Sequence, residues 1–519
     1  MLTAKTNWLF ALSLMLIFVF SDFYLAQGNN QNTRSTDGRK KPLNLLLIAI
    51  DDLNDWVGCL GGHPQALTPN IDKLAKRGVL FSNAHCPATA CNPSRAAIFS
   101  GRWPWETGVW NNKSKRLFDQ HPEMEVFPRL FSRNGYQTFG TGKLMHSSGT
   151  ANRLMFQDSF NPEQRWSPFT KQLLRYTKSE QPSKGTDNPI HQLELPSGDS
   201  IQFPLNQMPS DRNPGTNEPE SFDWGGLAIG DEEMGDTQIT NWAIQKLESS
   251  SKDIPFLLGV GFYRPHIPLF APDKYFKRFE DVEVVLPATL GSDLEDVGEL
   301  GKKWAIEAVT AGLHSTVLKH NQWSDAVKAY LACTTFIDQQ IGRLFTSLEV
   351  NGLSENTIVV LFSDHGWHLG EKEHWGKWTG WERSTRVPLI IVLPANHGLE
   401  KIDAGSVCSE PVNLIDLFPT LCELCEIEVS RQLDGQSLVP LLRDTSSKSK
   451  DRFSLSLFDE GNFSLRDHQF RFIQYADGSE ELYDLKDDAA EWRNLVSIPE
   501  YRPVVKRFRT YLASIRSSK

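Results

Sequence analysis

Residues 43–52 read LNLLLIAIDD, and this stretch decides the fold. Eight residues carry one polar side chain, Asn44, and end on the adjacent acids Asp51 and Asp52. A short continuous apolar run is the pattern of a strand buried on both faces, as in a parallel sheet, whereas a half-exposed strand would alternate. Four further runs of this kind cover 137–140, 255–262, 357–362 and 387–393. Helical periodicity lies between them at 70–77, 122–134, 237–248 and 323–349. The alternation predicts an α/β sandwich, with helices on both faces of a mostly parallel central sheet, over residues 42–443. Residues 160–231 are rich in Pro, Gly, Ser and Asn and read as an insertion near a cleft. Beyond a polar linker at 443–451, the segments 452–457, 469–475 and 480–485 alternate like antiparallel strands, and a helix covers 502–515. These form a small α+β C-terminal subdomain, residues 444–519.

The composition is that of a globular protein: 519 residues, 39% apolar and 23% charged. A net charge of -10 argues against nucleic acid as a partner. Lys5, an apolar run at 9–20 and small or polar residues around Ala26-Gln27-Gly28 read as a secretory signal over residues 1–27. Residues 28–41 are then a disordered polar leader, and no membrane span remains after removal of the signal. Such a chain is expected to be secreted or periplasmic. Its seven cysteines are an odd number for an exported protein, so at least one is unpaired or modified. Cys422 and Cys425 lie in an apolar helical pattern and read as buried side chains or a local disulfide. Cys59, Cys86, Cys333 and Cys408 read as core.

The chemistry gathers at strand ends. The first run ends in Asp51-Asp52, the second leads into Gly142-Lys143 and His146, the third into Arg264-Pro265-His266, and the fourth into Ser363-Asp364-His365-Gly366. Ligands of open α/β sheets bind beyond the carboxyl ends of the strands, so four distant segments converge there. Asp51, Asp52 and Asp364 supply hard oxygen ligands suited to Ca²⁺ or Mg²⁺, with His365 as a further ligand. Separately, Cys91-Asn92-Pro93-Ser94-Arg95 enters a helical stretch at 96–100. Pro93 at the first helical position with Asn92 as cap would set Cys91 at a helix N-terminus, where backbone N–H groups and the dipole favour an anion.

The segment 91–95, followed by Gly101-Arg102, resembles the type I sulfatase motif. The resemblance runs from about residue 44 to 495. It takes in Asp51-Asp52, Thr68-Pro69-Asn70-Ile71-Asp72, Thr141-Gly142-Lys143, Asp364-His365-Gly366 and Glu481-Leu482-Tyr483-Asp484-Leu485. Four features are similar to the iduronate-2-sulfatase group: two residues between Lys143 and His146, an Asp-His pair at 364–365, Arg264-Pro265-His266-Ile267-Pro268, and residues 370–377. His374 departs from that group, where an acidic residue is common.

The resemblance implies an alkaline-phosphatase-like fold and a single Ca²⁺ held by Asp51, Asp52, Asp364, His365 and the side chain derived from Cys91. It also implies that a formylglycine-generating enzyme oxidises Cys91 to an aldehyde. The hydrate would attack a sulfate ester, carry the sulfuryl group covalently, and expel sulfate as the aldehyde reforms. Arg95 would orient the hydrate, His146 would hold or deprotonate its second hydroxyl, Lys143 and Lys377 would grip sulfate oxygens, and His266 would protonate the leaving oxygen. Lys143, His266, Lys377, His374 and Trp105 would contact the substrate, a sulfated carbohydrate. Lys372 and Arg383 read as surface charges. Two other readings stand beside this one: a phosphodiester or phosphonate monoester hydrolase of the same superfamily, and a non-catalytic glycan-binding protein with unmodified Cys91.

Overall fold

The computed structural model describes residues 42–163, 165, 191–194, 200–212, 221–309, 311–395, 397 and 402–517. The signal and leader, and much of the insertion, lie outside the described residues.

Eight strands form the central sheet: β1 Asn44–Ile50, β2 Val79–Phe81, β3 Gln137–Gly142, β4 Asp158–Phe160, β5 Phe256–Phe262, β6 Thr357–Ser363, β7 Leu389–Val392 and β8 Val407–Cys408. Their order is β8-β2-β7-β6-β1-β5-β3-β4, and β7 alone runs against its neighbours. All five apolar runs are strands of this sheet. β1 lies at its centre and is buried along its whole length. Its side chains alternate between two cores: Leu46, Ile48 and Ile50 face one, Leu45, Leu47 and Ala49 the other. Helices Pro69–Ala75, Gly235–Ser249 and Trp323–Val350 cover the first face. Helices Cys91–Ser100, Phe127–Arg133 and Leu417–Leu424 cover the second. The arrangement is the sandwich expected from the sequence. Among the described residues no helix is long and apolar enough to cross a membrane.

Register explains why the strand ends form one site. Ile50 pairs with Ser363 on one side and Phe262 on the other, and Gly261 pairs with Gly142. The segments that follow these parallel strands therefore emerge side by side.

A four-stranded antiparallel sheet follows: β9 Ser454–Leu457, β10 Phe463–Arg466, β11 Phe470–Gln474 and β12 Glu480–Asp484, with the helix Arg502–Ser517 packed by Val505, Phe508 and Leu512. Strand β10 was not legible in the sequence. Its four residues, Phe463–Arg466, are too few to carry a strand signal of their own. Arg471 of β11 is buried and ties this sheet to the segment after β6. It pairs with Glu382 and with Glu491 at 2.8 Å, and donates to Gly380 O and Ser464 Oγ. Removing it strands the buried Glu491 carboxylate and takes from Glu382 one of three arginine partners, so Arg471→Met is expected to lower unfolding free energy by about 3–5 kcal/mol, measured by chemical denaturation.

Lys372 and Arg383, expected as surface charges, are instead held in ion pairs. Lys372 is buried and bonds Asp293 at 2.5 Å, and Arg383 pairs with Asp55 and Glu371. Partners this far away in the chain leave no local signature. The seven cysteines are all unbridged, Cys422 and Cys425 included.

Candidate active site

Cys91 opens the helix Cys91–Ser100 with Ala90 at the N-cap, so the helix begins earlier than Asn92 and Pro93 suggested. Asn92 is not the cap. Its side chain donates to Asn111 O and Ser114 O, and its backbone N–H donates to Asn112 Oδ1, contacts made by a loop some 20 residues on. The consequence for Cys91 is the one expected. Its thiol sits in the first turn, where free backbone donors favour a negative charge.

Two carboxylates from consecutive residues normally point to opposite faces of an extended chain. Asp52 escapes this by taking a left-handed conformation, φ 60°. Such a backbone costs a non-glycine residue about 1–2 kcal/mol. It is held by Tyr330, whose hydroxyl donates to Asp52 O at 2.8 Å and accepts from Asn54 N at 2.9 Å. Asp51 and Asp52 thus both face Cys91. Just past the end of β3, two strands from β1 in the sheet, Lys143 turns in over a glycine pair. Gly142 has φ 68°, and a Cβ there would stand 1.9 Å from Gly261 O. A Cβ on Gly261 would meet Lys143 O at 2.3 Å.

Around the Cys91 Sγ stand Lys377 Nζ at 3.0 Å, His365 Nε2 at 3.3 Å and Lys143 Nζ at 3.4 Å, and His146 hydrogen-bonds to it. Burial pushes the thiol's pKa up, but Lys143, Lys377 and His365 together reverse this and hold it well below its usual value. Lys377 also donates to Asp52 Oδ1 at 2.8 Å, and Lys143 pairs with Asp51. Burial opposes the charge on Lys377, yet Asp52 and Cys91 raise its pKa above the ordinary lysine value. Arg95 lies beneath. Its Nε donates to Asp364 Oδ2 at 2.7 Å, its Nη2 to Asp51 Oδ1 at 3.0 Å, and its Nη1 to Lys143 O. It clamps two carboxylates and the lysine backbone in one fully buried fork.

Two groups of side chains here could hold a metal: Asp51, Asp52, Cys91 and His266, and Asp51, Cys91, Asp364 and His365. In each group the ligand atoms lie within 4.8 Å of one another. Asp52 Oδ2 is buried and accepts no hydrogen bond, with His266 Nε2 3.7 Å away. A buried carboxylate oxygen left without a donor is costly, and a cation at this point would satisfy it. Together the two groups offer three carboxylates and two imidazoles beside Cys91, a set richer in oxygen than in nitrogen, so the residues fit a hard divalent ion.

His266 is the most open member, with its side chain 18% exposed. Its Nδ1 lies 2.6 Å from Ile267 O, which directs Nε2 toward Asp52. Asp51, Asp52, Cys91, Arg95, Lys143, His146, His266, Asp364, His365 and Lys377 are thus brought together, as the sequence suggested. Tyr330 and Trp367, whose ring lies 5.5 Å from Lys377 Nζ, were missed. A lone aromatic in a helix or loop carries no signal of its own.

Two residues expected to contact substrate, His374 and Trp105, make no contact with Cys91. His374 is buried, and each ring nitrogen faces a carbonyl oxygen at 2.8 Å, Nδ1 that of Ala305 and Nε2 that of Lys377; burial lowers its pKa, so the neutral ring donates to one of the two. It positions the Lys377 segment against the helix Glu299–Ile306 and has no nitrogen left for a substrate. His374→Ala is expected to lower kcat by about tenfold to a hundredfold with a smaller change in KM, read from steady-state kinetics, because Lys377 loses its fixed placement. Trp105 stacks on Trp103, ring centroids 5.2 Å apart, and packs with the C-terminal sheet and last helix.

The family model described as Sulfatase matches residues 43–427, and that described as N-sulphoglucosamine sulphohydrolase, C-terminal, matches residues 370–518. A sulfatase of Formosa agariphila is 30% identical, with 90% of this chain and 86% of that protein covered. Human iduronate 2-sulfatase is 28% identical over 80% of this chain and 74% of its own. Among solved structures, one in complex with its substrate D-glucosamine-2-N,6-O-disulfate aligns with a TM-score of 0.68 at 22% identity, covering 92% of this chain and 98% of that one. The phosphonate monoester hydrolase of Agrobacterium radiobacter aligns with a TM-score of 0.68 at 22% identity, covering 92% and 96%.

Proposed function

Because the chain belongs to the sulfatase family and is a sulfuric ester hydrolase, we propose that it cleaves sulfate esters of a carbohydrate through a formylglycine derived from Cys91. The observation that carries this reading is the position of Cys91: first turn of a helix, two lysines on its sulfur, and three carboxylates behind it. A plain thiolate nucleophile would explain the lysines but not the cation-seeking carboxylates. Asp51, Asp52, Asp364 and His365 would hold one Ca²⁺, which supplies Lewis acidity to an oxygen on residue 91. The aldehyde supplies an oxygen nucleophile when hydrated, and a route for sulfate to leave.

The chain's own groups do the rest. Lys143 and Lys377 approach residue 91 from two directions and grip sulfate oxygens as charge builds on them. His266, with Nδ1 engaged by Ile267 O, presents Nε2 and gives a proton to the leaving oxygen. His146 hydrogen-bonds to the substituent of residue 91, which places it to take the proton of the second hydroxyl there. Arg95 holds Asp51 and Asp364 in place beneath.

The iduronate-type features of the sequence, the human relative's name and the sulfated sugar bound by a structural neighbour support a sulfated uronate or related sugar unit as substrate. Maturation would come from a formylglycine-generating enzyme, and the protein would act after export. The test is turnover of three ester classes by one preparation. Sulfate monoesters are expected to react at least about a hundredfold faster than phosphodiesters or phosphonate monoesters, a preference worth about 2.7 kcal/mol in the transition state. Activity is expected to be lost on dialysis against a calcium chelator and restored by Ca²⁺. Faster cleavage of phosphonate monoesters would reassign the protein to that branch of the superfamily.

A further inference from the structure

We propose that the cavity between the Trp103–Trp105 segment and the last helix is a second glycan-binding site, one that takes an unsulfated sugar unit. The inference rests on the carbohydrate reading above and adds a separate place on the protein where the same polymer is held.

The cavity measures about 470 Å³, within the range of small-ligand sites. One wall is aromatic. Trp103 and Trp105 are half-buried and stacked, with 26° between their planes. Phe453 and Tyr511 add a second aromatic pair, ring centroids 4.3 Å apart. The rim is polar and exposed, with Glu106, Gln432, Gln436 and Asp451. A pyranose has an apolar face of C–H groups and an equatorial belt of hydroxyls. Indole rings suit the face, and carboxylates and amides accept from or donate to the belt.

Charge narrows the ligand. Arg102 pairs with Asp434 at 3.1 Å, Arg452 with Asp416 at 3.3 Å, and Arg507, whose guanidinium lies over the Phe453 ring, with Asp467, so these three arginines are neutralised. Glu106 and Asp451 have no ion pair among the described residues, and the rim is net acidic. Sulfate or uronate groups would be repelled there, whereas neutral hydroxyls would not. At the catalytic cluster, by contrast, the groups that touch residue 91 are two lysines and two histidines. A polysaccharide with sulfated and unsulfated stretches could engage both, and the second contact would raise the local concentration of ester at the first.

The test uses the full-length protein in native electrophoresis through gels containing agarose, galactomannan or arabinoxylan, alongside hydrolysis of 4-nitrophenyl sulfate. Wild type is expected to be retarded by at least one neutral polymer. Trp105→Ala is expected to bind it about tenfold more weakly through lost stacking. Trp105→Phe should keep most of the retardation, and both variants should hydrolyse the small ester at the wild-type rate. Retardation of wild type by none of the three polymers, or equal retardation of wild type and Trp105→Ala, would overturn the second site. Loss of small-ester hydrolysis in both variants would also count against it, because it would make Trp105 a packing residue of the fold. Failure of the broader reading is distinct: the enzyme would then release sulfate from 4-nitrophenyl sulfate and from no sulfated glycan.

Discussion

Cys91→Ser is expected to end catalysis after at most one sulfate per protein molecule. A serine left as serine keeps an oxygen on Cβ at the N-terminus of the same helix, within reach of Lys143 and Lys377. It can take a sulfuryl group, but it lacks the second hydroxyl through which sulfate is expelled, so a sulfated protein accumulates or nothing reacts. Multiple turnover is expected to fall by at least about 10⁴-fold, measured as sulfate released per mole of protein over time. The fold should survive. The substitution is nearly isosteric, and the contacts at residue 91 come from groups already fixed by one another: Lys377 by Asp52, Lys143 by Asp51, and Arg95 by Asp51 and Asp364. Steady multiple turnover by the serine variant would require a different nucleophile.

Lys377→Ala carries the second-largest expectation, a fall in kcat of about 10²–10³, the usual effect of deleting one preorganised charge aimed at a developing anion. Lys377 Nζ lies 3.0 Å from Sγ and 2.8 Å from Asp52, and its pKa is raised in that setting, so it is charged throughout the working pH range. Lys377→Arg should recover only part of the loss. A planar guanidinium cannot occupy the point position between Asp52, residue 91 and the Trp367 ring. Single-turnover kinetics should place the defect in the chemical step, because Lys143 remains to bind sulfate. An unchanged kcat with a raised KM would instead make Lys377 a uniform binding group.

Much of this site could be read from the sequence because parallel strands leave an unambiguous trace. Runs such as 43–50 and 357–362 carry one polar side chain each, Asn44 and Thr357, each leads into charged residues, and the carboxyl-end rule gathers those ends in one place. The readings that failed depended on contacts between distant segments. Asn92 looks like a helix cap, but its amide is committed to Asn111 and Ser114. His374, three residues from Lys377, looks like a substrate contact, yet the carbonyl of Ala305 claims one nitrogen and that of Lys377 the other. Lys372 and Arg383 look solvated until Asp293 and Asp55 arrive from elsewhere in the chain. Asp52's left-handed backbone, which aims both acids at one point, has no sequence signature, since left-handed aspartates are too uncommon to expect at a given position.

The claim that Cys91 is a precursor and not a working thiol is tested most directly by mass spectrometry of the peptide 78–95, cleaved from active protein after Arg77 and Arg95. The predicted result is the mass of an aldehyde at residue 91, with Cys86 in the same peptide unchanged, and a specific activity that rises in proportion to the converted fraction. Full sulfate-ester turnover by protein in which Cys91 remains a thiol would contradict it.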